Sequence, residues 1–482
     1  MAQPRLRSLS FALFLAASCS PTNNSPVNDG AGGRGTGGTR AGGAGSSQGT
    51  GGATNAGTAG GSGGGDTSAG GTGGTSAGTG GTTASNGGST GDGGAGGRDA
   101  AASPNDDAQS APDGPMGGDA PSGGGGLGAW QYSRTVTLDT TATGANVMAD
   151  VAHYPVAVIL DSTFDFSQAK AGGADVRFST ADGAMLPYAI EQWDATAKHA
   201  VIWVKVDVKG NSKSSSLLMN WGNAAATDAS NSAAVFDTKD GFVGVWHLSE
   251  TSSTQAGNYK DATANAANLT GIATASGADG DGRLGRAVSL HSAQKQWVRL
   301  DGDKNKTFDL VDHVTYSIWT YANNYAGEYV TAFAKGDNSW RIHMYGSASW
   351  GENKNKHIVE MCCETSGGQD ECAIHSDPSQ GTDVAPQKWF HWVAVLDHPK
   401  LTLYLNGVQE ITTNSGGAWK SDATYPVGIG NNSQIPTRFW DGLLDEARVM
   451  NVSKDANWAK LEFESQREGQ KFLTLGAAQK RF

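Results

Sequence analysis

The chain divides by its hydrophobic pattern before any side-chain chemistry is considered. From Ser20 to Gly128 there is no apolar periodicity: Val27, Met116 and Leu127 are the only large apolar residues, and no aromatic interrupts the run. Beyond it come short apolar stretches at a spacing of two, the signature of strands with one buried face. Tyr132 to Leu138 alternates. Pro155 to Leu160, Asp175 to Phe178 and Ala200 to Val208 are rich in β-formers, and Gly, Asp, Asn and Lys turns separate them. The run Ala200-Val201-Ile202-Trp203-Val204-Lys205-Val206 predicts the firmest strand of the chain. A second block opens at Val243-Gly244-Val245-Trp246-His247-Leu248, strand signals continue from there, and one helix is predicted near Asn457 to Arg467. The pattern predicts an all-β protein with two β-sandwich domains, 129–237 and 238–482.

Composition accounts for the unpatterned stretch. Of 70 glycines, 40 fall between Ser20 and Gly128. With so little apolar surface nothing offsets the chain entropy lost on folding, so residues 20–128 are expected to form a disordered Gly-rich stalk. A flexible coil of that length has a root-mean-square reach on the order of 55–60 Å. All 14 Trp and all 11 Tyr lie beyond it, ample for two cores. The formal charge of −12, with no Lys/Arg cluster, excludes nucleic acid as a partner. No run of 18 apolar residues exists, so any membrane link is expected through a lipid anchor only.

Residues 1–19 have the three-part layout of an export signal. Arg5 and Arg7 precede the apolar stretch Leu9–Ala17, and Ala16-Ala17-Ser18 leads to Cys19. This layout resembles a bacterial lipoprotein signal, which implies that Cys19 is lipidated and becomes the first mature residue. The family usually has Leu, Val or Ile three places before the cysteine; here Ala16 stands there, with Leu15 one step earlier. An ordinary cleaved signal, and a secreted protein, is the other reading of the same residues. Ser20 follows the cysteine, and the resemblance then implies the outer membrane of the cell envelope.

The first folded block carries Trp130-Gln131-Tyr132-Ser133-Arg134, Ala174-Asp175-Val176-Arg177-Phe178, Glu191-Gln192-Trp193-Asp194 and Trp221-Gly222-Asn223. On these residues it resembles an uncharacterised bacterial domain family that often stands before laminin-G-like modules. Glu191 and Asp194 are close enough to suggest acid/base chemistry, but paired carboxylates beside a Trp are expected on the rim. The second block carries Gly285-Arg286-Ala287-Val288-Ser289-Leu290, Val314 to Trp319, Trp389 to Val395, Leu403-Tyr404-Leu405-Asn406-Gly407 and Trp440 to Val449. In these it resembles the laminin-G-like, concanavalin-A-like lectin and glucanase superfamily. That resemblance implies a jelly roll of antiparallel strands, with Asn406-Gly407 turning a hairpin.

The resemblance leaves binding and catalysis to be separated by chemistry. Laminarinase-like members carry Glu-x-Asp-x-x-Glu on one strand, which places nucleophile and acid on one face for a retaining mechanism. This sequence has no such run, and neither Gly-x-Ser-x-Gly nor His-Glu-x-x-His occurs. Asp441, Asp445 and Glu446 are expected as a turn and a buried pair with Arg448, and His391 as a structural residue. Asp301, Asp303, Asn305, Thr307, Asp309 and Asp312 stand at the spacing of a calcium loop, with Lys306 where Gly is usual; a solvated connection between strands has the same residues. Calcium is thus the one cofactor the sequence admits. For ligand contact, alternation in Trp340 to Tyr345 puts Arg341, His343 and Tyr345 on one face, with Trp340, Ile342 and Met344 in the core. Tyr321, Asn323, Asn324 and Tyr325 form a second polar-aromatic loop.

Three further cysteines, Cys362, Cys363 and Cys372, surround a polar loop, and export makes a disulfide plausible. Strand neighbours point to opposite faces, so either Cys363 or Cys362 is expected to pair with Cys372. A zinc site built from Cys372 and His375 is the alternative, and it lacks ligands. The leading expectation is a non-catalytic surface-displayed binding or adhesion module for extracellular or envelope glycan. Its rivals are a structural or assembly component of the envelope that binds protein partners, and a carbohydrate-active enzyme.

Overall fold

The computed structural model describes residues 127–482 except 275–278, 328, 338, 347–356, 362, 365–383, 415–417, 420, 422 and 482. The predicted signal with Cys19, the stalk up to residue 126, Cys362, Cys372 and His375 therefore lie outside the described residues, and the expected disulfide with them.

The first sandwich is built from β1 (Tyr132–Leu138), β2 (Val151–Leu160), β3 (Arg177–Thr180), β4 (Met185–Leu186), β5 (Tyr188–Asp194), β6 (His199–Val208) and β7 (Ser215–Trp221). A single helical turn, α1 (Ser232–Val235), leads out of it. The second sandwich follows with β8 (Phe242–Trp246), β9 (Leu269–Ile272), β10 (Asp279–Asp281), β11 (Arg286–Leu290), β12 (Trp297–Leu300), β13 (His313–Ala322) and β14 (Tyr329–Ala334). It continues with β15 (Trp340–Tyr345), β16 (His357–Met361), β17 (Cys363–Glu364), β18 (Trp389–Asp397), β19 (Lys400–Leu405), β20 (Val408–Asn414), β21 (Ala418–Trp419), β22 (Gly428–Ile429) and β23 (Gly442–Met450). The helix α2 (Ala456–Gln466) and the short strands β24 (Leu473–Leu475) and β25 (Gln479–Lys480) close the described chain.

In the first sandwich the sheet β24-β1-β7-β3-β4 faces the sheet β2-β6-β5. The central strand β6 shows why its sequence does not alternate. Ala200 to Val204 are all fully buried, because one side packs on the opposite sheet while Trp203 on the other side meets Phe236, His247 and Arg448. A strand covered on both faces is a continuous apolar run.

The carboxyl-terminal strands do not end in the second sandwich, where the sequence boundaries put them. They return to the first, where β24 pairs with β1 at Val136–Leu475 and β25 pairs with it at Tyr132–Lys480. Without them β1 is an unpaired sheet edge. Phe472 and Leu473, just before and within β24, are buried in the first core.

In the second sandwich the sheet β10-β11-β23-β13-β18-β19-β20 packs on the sheet β16-β15-β14-β22-β12-β9. Tyr316, Ile318, Trp392 and Leu403 from one side meet Val298, Phe333, Trp340, Ile342 and Met344 from the other. Asn406 and Gly407 turn the β19–β20 hairpin with φ of 50° and 72°, the positive values such a two-residue turn requires. The alternate residues of β13 are buried too: Ser317 donates to Glu462 and Trp319 to Gln466, both on α2. Asp455 caps that helix by accepting from Trp458 N. Helix α2 therefore roofs the outer face of this sheet, and Trp458 and Leu461 extend its packing into the first core.

Candidate functional site

The face expected to meet ligand lies on β14 and β15. Trp340, Ile342 and Met344 point into the core, which leaves Arg341, His343 and Tyr345 on the outer side. Cross-strand register sets Tyr329 opposite Tyr345 and Thr331 opposite His343. The Tyr329 ring stacks on His343 at 5.4 Å and 21°, and lies 5.4 Å from Tyr345. Arg438 sits 4.6 Å from the Tyr329 centroid and is fixed by a 2.8 Å bond to Asp337. Arg341 donates to the Asp337 carbonyl and is buried, as is His343. Tyr329 and Tyr345 remain half-buried, and burial pushes the Tyr345 phenol upward. Only Tyr329 and Tyr345 are therefore partly open to a ligand; Arg341 and His343, expected to touch it, are buried, as is Arg438.

The other predicted ligand residues do not assemble. Tyr321 packs against Trp389 at 5.6 Å, Asn323 donates to Asp441, Asn324 is exposed, and Tyr325 turns inward against Trp440 as part of the core. Nor does the calcium-spaced loop gather its oxygens. Asp301 pairs with Arg299 at 2.8 Å and Asp309 with Lys335 at 2.5 Å. Asn305 turns back to donate to the Gly302 carbonyl and accept from Val427 N, and Asp312 is exposed with φ of 68°. Asp303 begins a 3-10 turn, Asp303–Phe308; its side chain lies outside the described residues.

A second constellation stands where the two sandwiches meet, and it corrects one expectation. Glu191 is not a rim residue paired with Asp194. Its side chain is 2% exposed, while Asp194 caps a turn by accepting from Thr196 N and Ala197 N. Strand β5 bulges at Glu191, shifting register between Ile190 and Gln192, and a bulge re-aims its extra side chain. The Glu191 carboxylate accepts from Trp203 Nε1 at 2.7 Å. From the other sandwich, β23 bulges opposite Ile318, with Glu446 there in the left-handed region at φ of 51°. His247, just past β8, stacks on Trp203 at 5.6 Å and donates Nδ1 to Glu446 Oε1 at 2.7 Å, with Glu191 Oε2 at 3.5 Å. Arg448 closes the group, reaching Glu446 at 2.7 Å and Glu462 at 3.1 Å.

Electrostatics here follow from burial. Desolvation pushes the Glu191 carboxyl upward against the opposing pull of His247. It raises Asp445 well above the carboxylate range, with the Glu446 charge adding to the effect. Burial opposes the charge on His247, but Glu446 and Glu191 outweigh it and hold the imidazolium up to about 9. The group borders a cleft of about 340 Å³ lined by Ile190, Glu191, His247, Glu250, Lys260 and Asp261. Glu446 and Arg448 are legible in the sequence as a buried pair, whereas no local signal marks Tyr329, Arg438 or His247. Only the cross-strand register and the fold bring them to their sites.

Comparison with known proteins agrees with the order of modules read from the sequence. Residues 172–251 match a family described as a domain of unknown function, DUF2341. Residues 292–458 match the concanavalin A-like lectin/glucanases superfamily. No curated protein matches the chain. Among solved structures, it is similar to domain 4 of AbnA, a GH43 extracellular arabinanase from Geobacillus stearothermophilus, solved with arabinotriose. Identity is 16% and TM-score 0.34, over 46% of this chain and 97% of that one. The binding domain of Paraclostridial Mosquitocidal Protein 1 is 16% identical with a TM-score of 0.35, over 47% of this chain and 52% of that one. The binding domain of botulinum neurotoxin DC, in complex with SialylT, is 13% identical with a TM-score of 0.32, over 46% and 52%. The chain thus spans about half the length of these two toxin structures.

Proposed function

We propose that this chain is a non-catalytic glycan-binding protein displayed from a bacterial cell envelope, with the outer face of β14 and β15 as its ligand platform. The observation that carries the proposal is the half-buried pair Tyr329 and Tyr345, held in place by the buried His343 and Arg438. Sugars present C–H faces that pack on aromatic rings and hydroxyl groups that need polar partners, and the half-buried Tyr329 and Tyr345 offer ring faces and phenol hydroxyls. The match of residues 292–458 to a lectin and glucanase superfamily supports the same reading. Within that superfamily the sequence favours binding over hydrolysis, because it has no Glu-x-Asp-x-x-Glu run. Display is supported by Cys19 at the end of an export signal and by the glycine-rich stretch that follows. Calcium at the Asp301–Asp312 loop forms no part of the proposal, since Asp301, Asn305 and Asp309 are engaged with separate partners.

The test is retention of the full chain on a panel of immobilised polysaccharides, with elution by the matching soluble oligosaccharide. Retention by at least one polysaccharide is expected. A chain that passes through every column unretarded does not bind glycan.

A further inference from the structure

We infer that Glu191, His247 and Glu446 form a binding site for one divalent transition-metal ion of the zinc class at the junction of the two sandwiches. The inference is independent of the glycan platform, which lies on another sheet.

Among the described residues these three form a group whose ligand atoms all lie within 4.8 Å of one another. One imidazole nitrogen with two carboxylate oxygens suits zinc or cobalt, whereas calcium takes oxygen ligands. Each carboxylate is also oriented from outside the set, Glu191 by Trp203 Nε1 and Glu446 by Arg448, as ligands of metal sites commonly are.

Two further observations point to a missing cation. The Glu191 Oε1 atom has no hydrogen-bond partner, although its side chain is 2% exposed and lines the cleft. Four carboxyl groups, Glu191, Asp445, Glu446 and Glu462, are buried together, with His247 and Arg448 as the cationic side chains paired to Glu191, Glu446 and Glu462. Burial disfavours the ionised form of such carboxyls, and a cation bound between Glu191 and Glu446 offsets that cost. A dication bound here takes the place of the imidazole proton and of the proton on Glu191, and both pass to solvent. Three protein ligands leave a coordination position for water, and the adjoining cleft supplies the path by which ion and water enter.

Cobalt(II) added to the chelator-treated full chain tests the site, read by visible d–d absorption and by competition with zinc. One equivalent is expected to bind. Glu191→Gln keeps the shape and the Trp203 contact, and His247→Gln removes the nitrogen; each is expected to weaken binding by more than about 100-fold, beyond what loss of an outer-shell partner typically costs. Circular dichroism checks that both variants are folded. If either unfolds, the wild-type spectrum still decides, because a thiolate-to-cobalt charge-transfer band assigns the ion to cysteines. That band, absence of binding, or affinity unchanged in folded variants overturns the inference.

Discussion

The guanidinium of Arg448 in the second sandwich lies 4.7 Å from the centre of the Trp203 ring in the first, while its two amino groups reach Glu446 and Glu462. One side chain thus joins the sandwiches through a ring on one side and two carboxylates on the other, all of them buried. Because the first core also runs on into Phe242, Trp458 and Leu461, the two sandwiches form one packed unit.

Replacing Arg448 by Met leaves Glu462 buried without its paired guanidinium and Glu446 with His247 alone. The expected loss is about 3–5 kcal/mol, measured by urea denaturation near neutral pH. A loss under about 1 kcal/mol contradicts the view that these charges are closed off from water.

The return of the carboxyl terminus predicts destabilisation at a distance in sequence. Phe472 is fully buried in the core of a domain that begins more than 300 residues earlier. Phe472→Ala is expected to cost about 3–5 kcal/mol. Limited proteolysis is then expected to cut first within the first sandwich, among residues 132–221. Cleavage confined to the second sandwich argues against the shared sheet.

His391 supplies a pH dependence. It packs 4.8 Å from Trp319 and 6.3 Å from Phe463, under α2, and burial, aided by the charge of Arg448, lowers its pKa well below the ordinary value. The unfolded chain therefore takes up a proton near about pH 6.5 that the folded chain refuses. The contribution to stability is complete above that pH and is lost as the pH falls below it. His391→Asn removes the linkage, so the wild type is expected to lose more melting temperature than the variant between about pH 7 and pH 5. Parallel curves contradict the assignment.

How far these features were legible in sequence depends on periodicity. The two-residue alternation that sends Trp340, Ile342 and Met344 into the core and the positive-φ pair Asn406-Gly407 are local signals, and both appear in the structure as expected, but Arg341 and His343, expected to face a ligand, are buried as well. Glu191 and Glu446 reach His247 through bulges, which break the alternation at those residues and so hide where their side chains point. The strands β24 and β25, three and two residues long, are too short to carry a pattern that names their partner. Tyr325 shows the opposite error: a tyrosine in a polar loop looks exposed until Trp440 is placed beside it.

Envelope display rests on Cys19. Metabolic labelling with a radiolabelled fatty acid is expected to mark the wild-type chain and to leave Cys19→Ala unlabelled and released from the membrane fraction. A wild-type chain that takes up no label is a secreted protein.

The measurement that tests the account most directly is the affinity for a retained polysaccharide of the full chain against its Tyr345→Ala and Tyr329→Ala variants, by calorimetry. One aromatic face is worth about 0.5–1.5 kcal/mol, so each single variant is predicted to bind roughly 2- to 10-fold more weakly, and the double variant more weakly still. Unchanged affinity in the double variant, with the fold intact, moves the ligand site off the β14–β15 face and contradicts the proposal.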